Sequence, residues 1–180
     1  EHRPPWLILE LGGTHEVVGW PVFGPAIGQA RSIVWLQVKP GDLPIGIDPK
    51  HLFHERAARC GLAVDLGLMT GADLSKHASV CRTVDGAAVS VVATAGLGNA
   101  VAIGSETSPL MARVGTINIV ATLDRALSLP ARLEALSIAT EARTAAVMSL
   151  GLQDETGALM TGTGTDCIII ATPSGEGDAW

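Results

Sequence analysis

The chain has 180 residues, 47% of them hydrophobic, and sets 12 basic against 18 acidic side chains for a net charge of −6. That length buries roughly two thirds or more of the unfolded surface, enough for one domain with a continuous core. Two Phe and no Tyr on an acidic chain exclude the basic, stacking surfaces of nucleic-acid binders.

No apolar stretch reaches the ~18 residues a membrane helix needs, and no basic segment precedes an apolar leader, so no membrane association is expected and the cytoplasm is the expected location. Cys60, Cys81 and Cys167 are odd in number and form no C-x-x-C. They are expected to be reduced and buried, outside any disulfide framework or thiolate zinc site.

In chain order, strands are predicted over Trp6 to Leu11, Glu16 to Trp20 and Ser32 to Val38, separated by Gly12-Gly13 and by a loop from Pro21 to Gly28. Asp48-Pro49 reads as an N-cap with proline at the first helical position, opening a short amphipathic helix that carries Leu52, Phe53, Ala57 and Cys60 and stops at Gly61. A short strand at Leu66 to Thr70 and an ambiguous segment at Ala72 to Val84 follow. The Asp85-Gly86 turn then leads into a strand over Ala87 to Ala95. A surface loop from Gly104 to Arg113 leads to a strand over Thr116 to Asp124, where apolar and polar residues alternate.

Ser128 and Pro130 open the longest helix, whose predicted buried stripe is Leu133, Leu136, Thr140, Thr144, Val147 and Leu150, closed by Gly151. After a loop from Gln153 to Met160, the run Cys167 to Ala171 is the last strand. The expected fold is α+β: a single layered domain, residues 1–180, in which a mixed, largely antiparallel β-sheet packs against one long and one short helix.

Chemistry concentrates at Thr161-Gly162-Thr163-Gly164-Thr165-Asp166, set directly against the apolar run. If these residues are extended, the three hydroxyls of Thr161, Thr163 and Thr165 share one face, and Gly162, Gly164 and Asp166 share the other. Gly115-Thr116-Ile117-Asn118-Ile119 repeats the logic, with Thr116 and Asn118 on one face and the isoleucines directed to the core. A buried Asn118 must bond backbone or ligand. Gly96-Leu97-Gly98-Asn99 is a turn after a strand and a third candidate. Glu141 lies mid-helix, either solvated or at the edge of the buried stripe. His51, His54 and Glu55 match neither common zinc order, so no metal and no cofactor are expected.

Taken together, these three motifs and Thr140-Glu141-Ala142-Arg143-Thr144, preceded by Gly67-Leu68-Met69-Thr70 and Asp73, resemble the adenosylcobinamide amidohydrolase family from about residue 65 to residue 172. The resemblance implies a corrinoid substrate. It implies hydrolysis of the amide joining the corrin ring's propionyl side chain to aminopropanol, releasing adenosylcobyric acid for cobamide salvage. Similar proteins continue beyond a turn like Gly175 to Trp180 into a further helix, so a C-terminal helix is expected to be missing here.

On this reading Asp166, Glu141, Asn118 and Thr165 are catalytic, and Asn99, Thr116, Thr161, Gly162, Thr163 and Gly164 bind substrate. Water attacks with Asp166 or Glu141 as base; alternatively a threonine hydroxyl is the covalent nucleophile. The alternatives in function are a corrinoid-binding module without hydrolysis and a hydrolase of an unrelated small amide. Nothing in the sequence sets an oligomeric state.

Overall fold

The computed structural model describes residues 1–44, 46–105 and 115–175. The loop expected over Gly104 to Arg113 lies outside the described residues from position 106 onward, as does the turn beyond Gly175. The chain opens with β1 (His2–Arg3) and β2 (Trp6–Gly19). β2 absorbs the glycine pair that was expected to divide it. Gly12 adopts φ 76°, and the pairing register with β3 (Ile27–Gln37) slips between Glu10 and His15, so the glycines make a bulge inside one long strand.

α1 (Pro49–Arg59) starts where the Asp48 side chain accepts the Lys50 N–H at 2.9 Å, and Gly61 at φ 64° follows its end. After β4 (Leu66–Thr70), the ambiguous segment resolves into one 3-10 turn, Leu74–Lys76, and β5 (Ala78–Val84). Asp85 and Gly86, at φ 50° and 76°, turn the chain into β6 (Ala87–Ala95), as two positive-φ hairpin positions require. β7 (Ala100–Val101), β8 (Ile117–Leu123), α2 (Leu129–Met148), β9 (Gly162–Thr163) and β10 (Cys167–Pro173) complete the described elements.

The main sheet runs β4-β3-β2-β10-β8-β6-β5, with β1 added to β2, and β7 pairs with β9 apart from it. Among the described strands only β8–β10 and β3–β4 are parallel. The sheet is therefore mixed and largely antiparallel, with one long and one short helix, an α+β single domain. The sheet curls: Leu66 and Leu68 of β4 share one core with Ile33, Trp35, Val17, Val120 and Ile169 from β3, β2, β8 and β10. On the opposite face, Phe53 and Ala57 of α1 pack on Trp6, Val34 and Leu36, while Ala135, Leu136 and Ala139 of α2 pack on Val18, Ala121 and Ile170.

The buried line of α2 differs from the expected stripe. Val147 is buried as expected, but Leu133 and Leu150 are exposed and Arg132 is buried. Two arginines occupy the inner side because each finds a carboxylate there, Arg132 with Glu16 at 3.4 Å and Arg143 with Asp166 at 2.8 Å. In β8 both faces are buried at the centre. Asn118 shares the inner face with Val120, and Ile117 and Ile119 point to the opposite face with Ala121. Cys60 and Cys81 are exposed, contrary to expectation, because they fall at the end of α1 and on the edge strand β5; Cys167 is buried.

Candidate functional site

Sheet order brings the motifs together. β8 and β10 are parallel neighbours, so residues 115–116 and 161–166 precede them at the same end. β6 and β2 flank that pair antiparallel, so the segments that follow them, Gly96 to Asn99 and Trp20, reach the same end. The parallel pair requires a crossover, and α2 supplies it: leaving the far end of β8, its ~30 Å length returns Thr140 and Arg143 to the near end.

The Thr161 to Asp166 segment is not extended. β9 ends at Thr163, and Gly164 and Thr165 form a turn, so the alternation expected of six extended residues is lost and Asp166 folds back under Thr163. Asp166 Oδ1 accepts the Ile117 N–H at 3.0 Å and the Thr163 hydroxyl; Oδ2 accepts the Thr163 N–H at 2.9 Å and Arg143 Nη1 at 2.8 Å. The carboxylate is 7% exposed. Arg143 Nη1 also donates to the Thr161 carbonyl at 2.9 Å. A Cβ at Gly162 would overlap Nη1, so this position must lack one for the guanidinium to cross the turn. Gly164 has open space around its Cα and no positive φ, so neither crowding nor conformation demands glycine there.

A hollow of about 380 Å³ opens over this turn. Thr161, Gly162, Thr163, Gly164, Asp166, Thr140, Thr144 and Arg143 form its polar part, and Trp20, Val101 and Ile103 its apolar part. The other predicted residues support the turn from behind. Thr165 Oγ1 lies 2.9 Å from Thr116 Oγ1, donates to the Gly115 carbonyl at 3.1 Å and accepts Asn99 Nδ2 at 3.5 Å. A Cβ at Gly115 would overlap Asn99 Oδ1 and the Gly96 carbonyl, which shows how closely the two glycine motifs stack. Asn118 is fully buried and donates from Nδ2 to the Met69 carbonyl at 2.9 Å, a backbone partner.

Asn99, Thr116 and Thr165 thus join the turn in space without lining the hollow, and Asn118 bonds β4 instead and does not line it either. Glu141 is exposed on α2, its side-chain partner being Ser137 Oγ at 3.5 Å, and it does not line the hollow.

Arg143, which the sequence reading placed in a family motif without a role, and Trp20 and Ile103 were not among the expected site residues. Arg143 had a signal: it stands three residues after Thr140 and four before Val147, inside the buried stripe, where a cation must find a carboxylate. Cys167 is not an alternative nucleophile, since burial, with the Asp166 charge beside it, pushes its thiol up to about 11. Among the described residues no cluster of three or more His, Cys, Asp or Glu has the arrangement of a metal site. His51 pairs with Glu55 at 3.3 Å on the surface, and the His54 ring stacks on Phe23 with centroids 5.9 Å apart.

The model of one protein family matches residues 1–180, the whole chain, and its description is adenosylcobinamide amidohydrolase. The chain belongs to that family. The match extends over the first sixty residues, where the motifs alone carried no resemblance. No curated protein and no solved structure matches the chain. Among the described residues no helix is long and apolar enough to cross a membrane.

Proposed function

We propose that the protein hydrolyses the amide between the corrin propionyl side chain and aminopropanol of adenosylcobinamide, giving adenosylcobyric acid for cobamide salvage, and that the reaction takes place over the Thr161 to Asp166 turn. Family membership supports the substrate class. The observation that carries the mechanism is the occupancy of Asp166. An ionised carboxylate has about four acceptor directions, and all are filled here. Two donors are backbone amides and one is a guanidinium, none of which gives up a proton in such a step. The fourth is the Thr163 hydroxyl, so Thr163 is the group that Asp166 can deprotonate.

Of the two routes considered, this geometry favours the covalent one. Thr163 Oγ1 attacks the amide carbon as its proton passes to Asp166 Oδ1. The tetrahedral oxyanion forms beside Arg143, whose side chain lines the hollow and spends Nη1 on Asp166 and Thr161. The C–N bond then breaks, the departing amine takes the proton from Asp166, and water hydrolyses the resulting threonine ester. Gly162 and Gly164 leave the approach over the turn open, Thr116, Asn99 and Thr165 hold the turn in shape, and Asn118 ties β8 to β4. Thr161 fixes its far end, accepting the Ile103 N–H at 2.9 Å.

The test is incubation of the purified protein with adenosylcobinamide, followed by chromatography with mass detection. Adenosylcobyric acid and free aminopropanol are expected in equal amounts. Binding of adenosylcobinamide without turnover at high protein concentration would replace this reading with a binding module, and cleavage of simple amides alone would replace it with a small-amide hydrolase.

A further inference from the structure

We infer that Trp20 and Ile103 form the surface on which the corrin macrocycle rests while its amide arm enters the hollow; this assignment rests on the reaction proposed above. A hollow of about 380 Å³ accommodates an aminopropanol-amide arm but not a macrocycle of four linked five-membered rings. With the amide carbon over Thr163, the ring must lie against whatever borders the hollow. On the apolar side that border is Trp20, Val101 and Ile103.

Both outer residues are anchored and left open. The Trp20 indole is 40% exposed although its Nε1–H donates to the Asp166 carbonyl at 2.6 Å, so its plane is held and its surface stays available. Ile103 is 88% exposed, while its backbone N–H is tied to Thr161 Oγ1 at 2.9 Å. Singly exposed apolar residues are ordinary, but here a fixed indole and an almost fully exposed isoleucine border the same polar hollow, and each is tethered to the turn that carries the chemistry. A large apolar ligand arriving with its amide arm foremost would bury both. The hydrogen bond from Trp20 reaches the main chain of Asp166 and is separate from the four donors that hold the carboxylate.

Cobyric acid, which retains the macrocycle and lacks the aminopropanol arm, is the probe that separates ring recognition from cleavage. Wild-type protein, Ile103→Ser and Trp20→Leu are compared for cobyric acid affinity by calorimetry and for kcat and KM on adenosylcobinamide, with melting curves as a check on folding. Each substitution should weaken cobyric acid binding roughly tenfold, the value of burying one large apolar side chain, and raise KM by a similar factor, well beyond any fall in kcat. If Trp20→Leu fails to fold, Ile103→Ser decides, because its side chain touches little. Active wild-type protein that ignores cobyric acid, or variants that bind it as wild type does, would overturn the ring surface and leave the reaction standing. Wild-type protein inert on adenosylcobinamide would overturn the reaction itself, and the ring surface with it.

Discussion

The Asp166 carboxylate meets its four donors inside a protein environment that leaves it 7% exposed, and the distinction between these donors has measurable consequences. Thr163→Val removes the transferable proton while nearly preserving shape, so turnover should fall at least ~10²-fold with the fold intact; Thr163→Ser, which keeps the hydroxyl, should retain activity within about tenfold. Steady-state assays on both variants check this, and equal losses would remove the nucleophile from Thr163. Glu141→Gln should behave differently: the carboxylate is solvent-facing and borders nothing in the hollow, so turnover should stay within about twofold of wild type. Sequence could not separate these two acids. Asp166 and Glu141 each stand beside threonines, and only the fold shows that one is enclosed by donors while the other faces water.

At the scale of elements, α2 is joined to the sheet by two ion pairs, and the pair in the site is the more enclosed, with side chains 15% and 7% exposed. Removing one partner of such a pair leaves the other charge buried, at a cost of about 3–5 kcal/mol. Arg143→Met should therefore lower stability as well as turnover, and a double-mutant cycle with Asp166→Asn, followed by denaturant unfolding, should give a coupling of at least ~1 kcal/mol. Additive effects would mean that the two side chains do not depend on each other.

The boundaries of α1, α2, β4, β6 and β10 were legible because caps, positive-φ glycines and apolar runs are local signals. The inner face of α2 was not, since an arginine on the buried side is recognisable only when its carboxylate, 23 residues away for Arg143, is known to be adjacent.

The loop leading into β9 carries its own electrostatic device. Asp154 accepts hydrogen bonds from the hydroxyl and N–H of Thr156, the Ala158 N–H and the Ser105 hydroxyl, the first of these being the largest cause of its pKa falling to about 2. A carboxylate with a lowered folded-state pKa contributes stability that is fully present above its unfolded value near 4 and is lost as pH falls through about 2. Melting temperatures measured from pH 5 to pH 2 should thus decline less steeply in Asp154→Asn than in wild type. Parallel profiles would show that the loop draws no stability from the ionised form.

Across the whole molecule, the site exists because the sheet order β2-β10-β8-β6 sends four sequence-distant segments to one end, a consequence of pairing that no local pattern announces. Asn118 belongs to this level. Its Nδ2 reaches from β8 to the Met69 carbonyl of β4, strands that stand four places apart in the sheet order with β3, β2 and β10 between them, and so it fastens the curl from the inside. Sequence reasoning made Asn118 catalytic because asparagine is unusual in a strand interior; the physical requirement behind that signal is met at Nδ2 by a backbone partner, while the buried Oδ1 has no partner among the described residues. Asn118→Ala leaves the Met69 carbonyl unpaired and a small void, which should cost roughly 2 kcal/mol, or about 4–8 °C in Tm for a chain of this size. Turnover measured well below the melting transition should then fall far less than in Thr163→Val. The opposite pattern, a collapse of turnover at unchanged Tm, would return Asn118 to the chemistry and make the inner core, rather than the hollow above the turn, the place where the amide is bound.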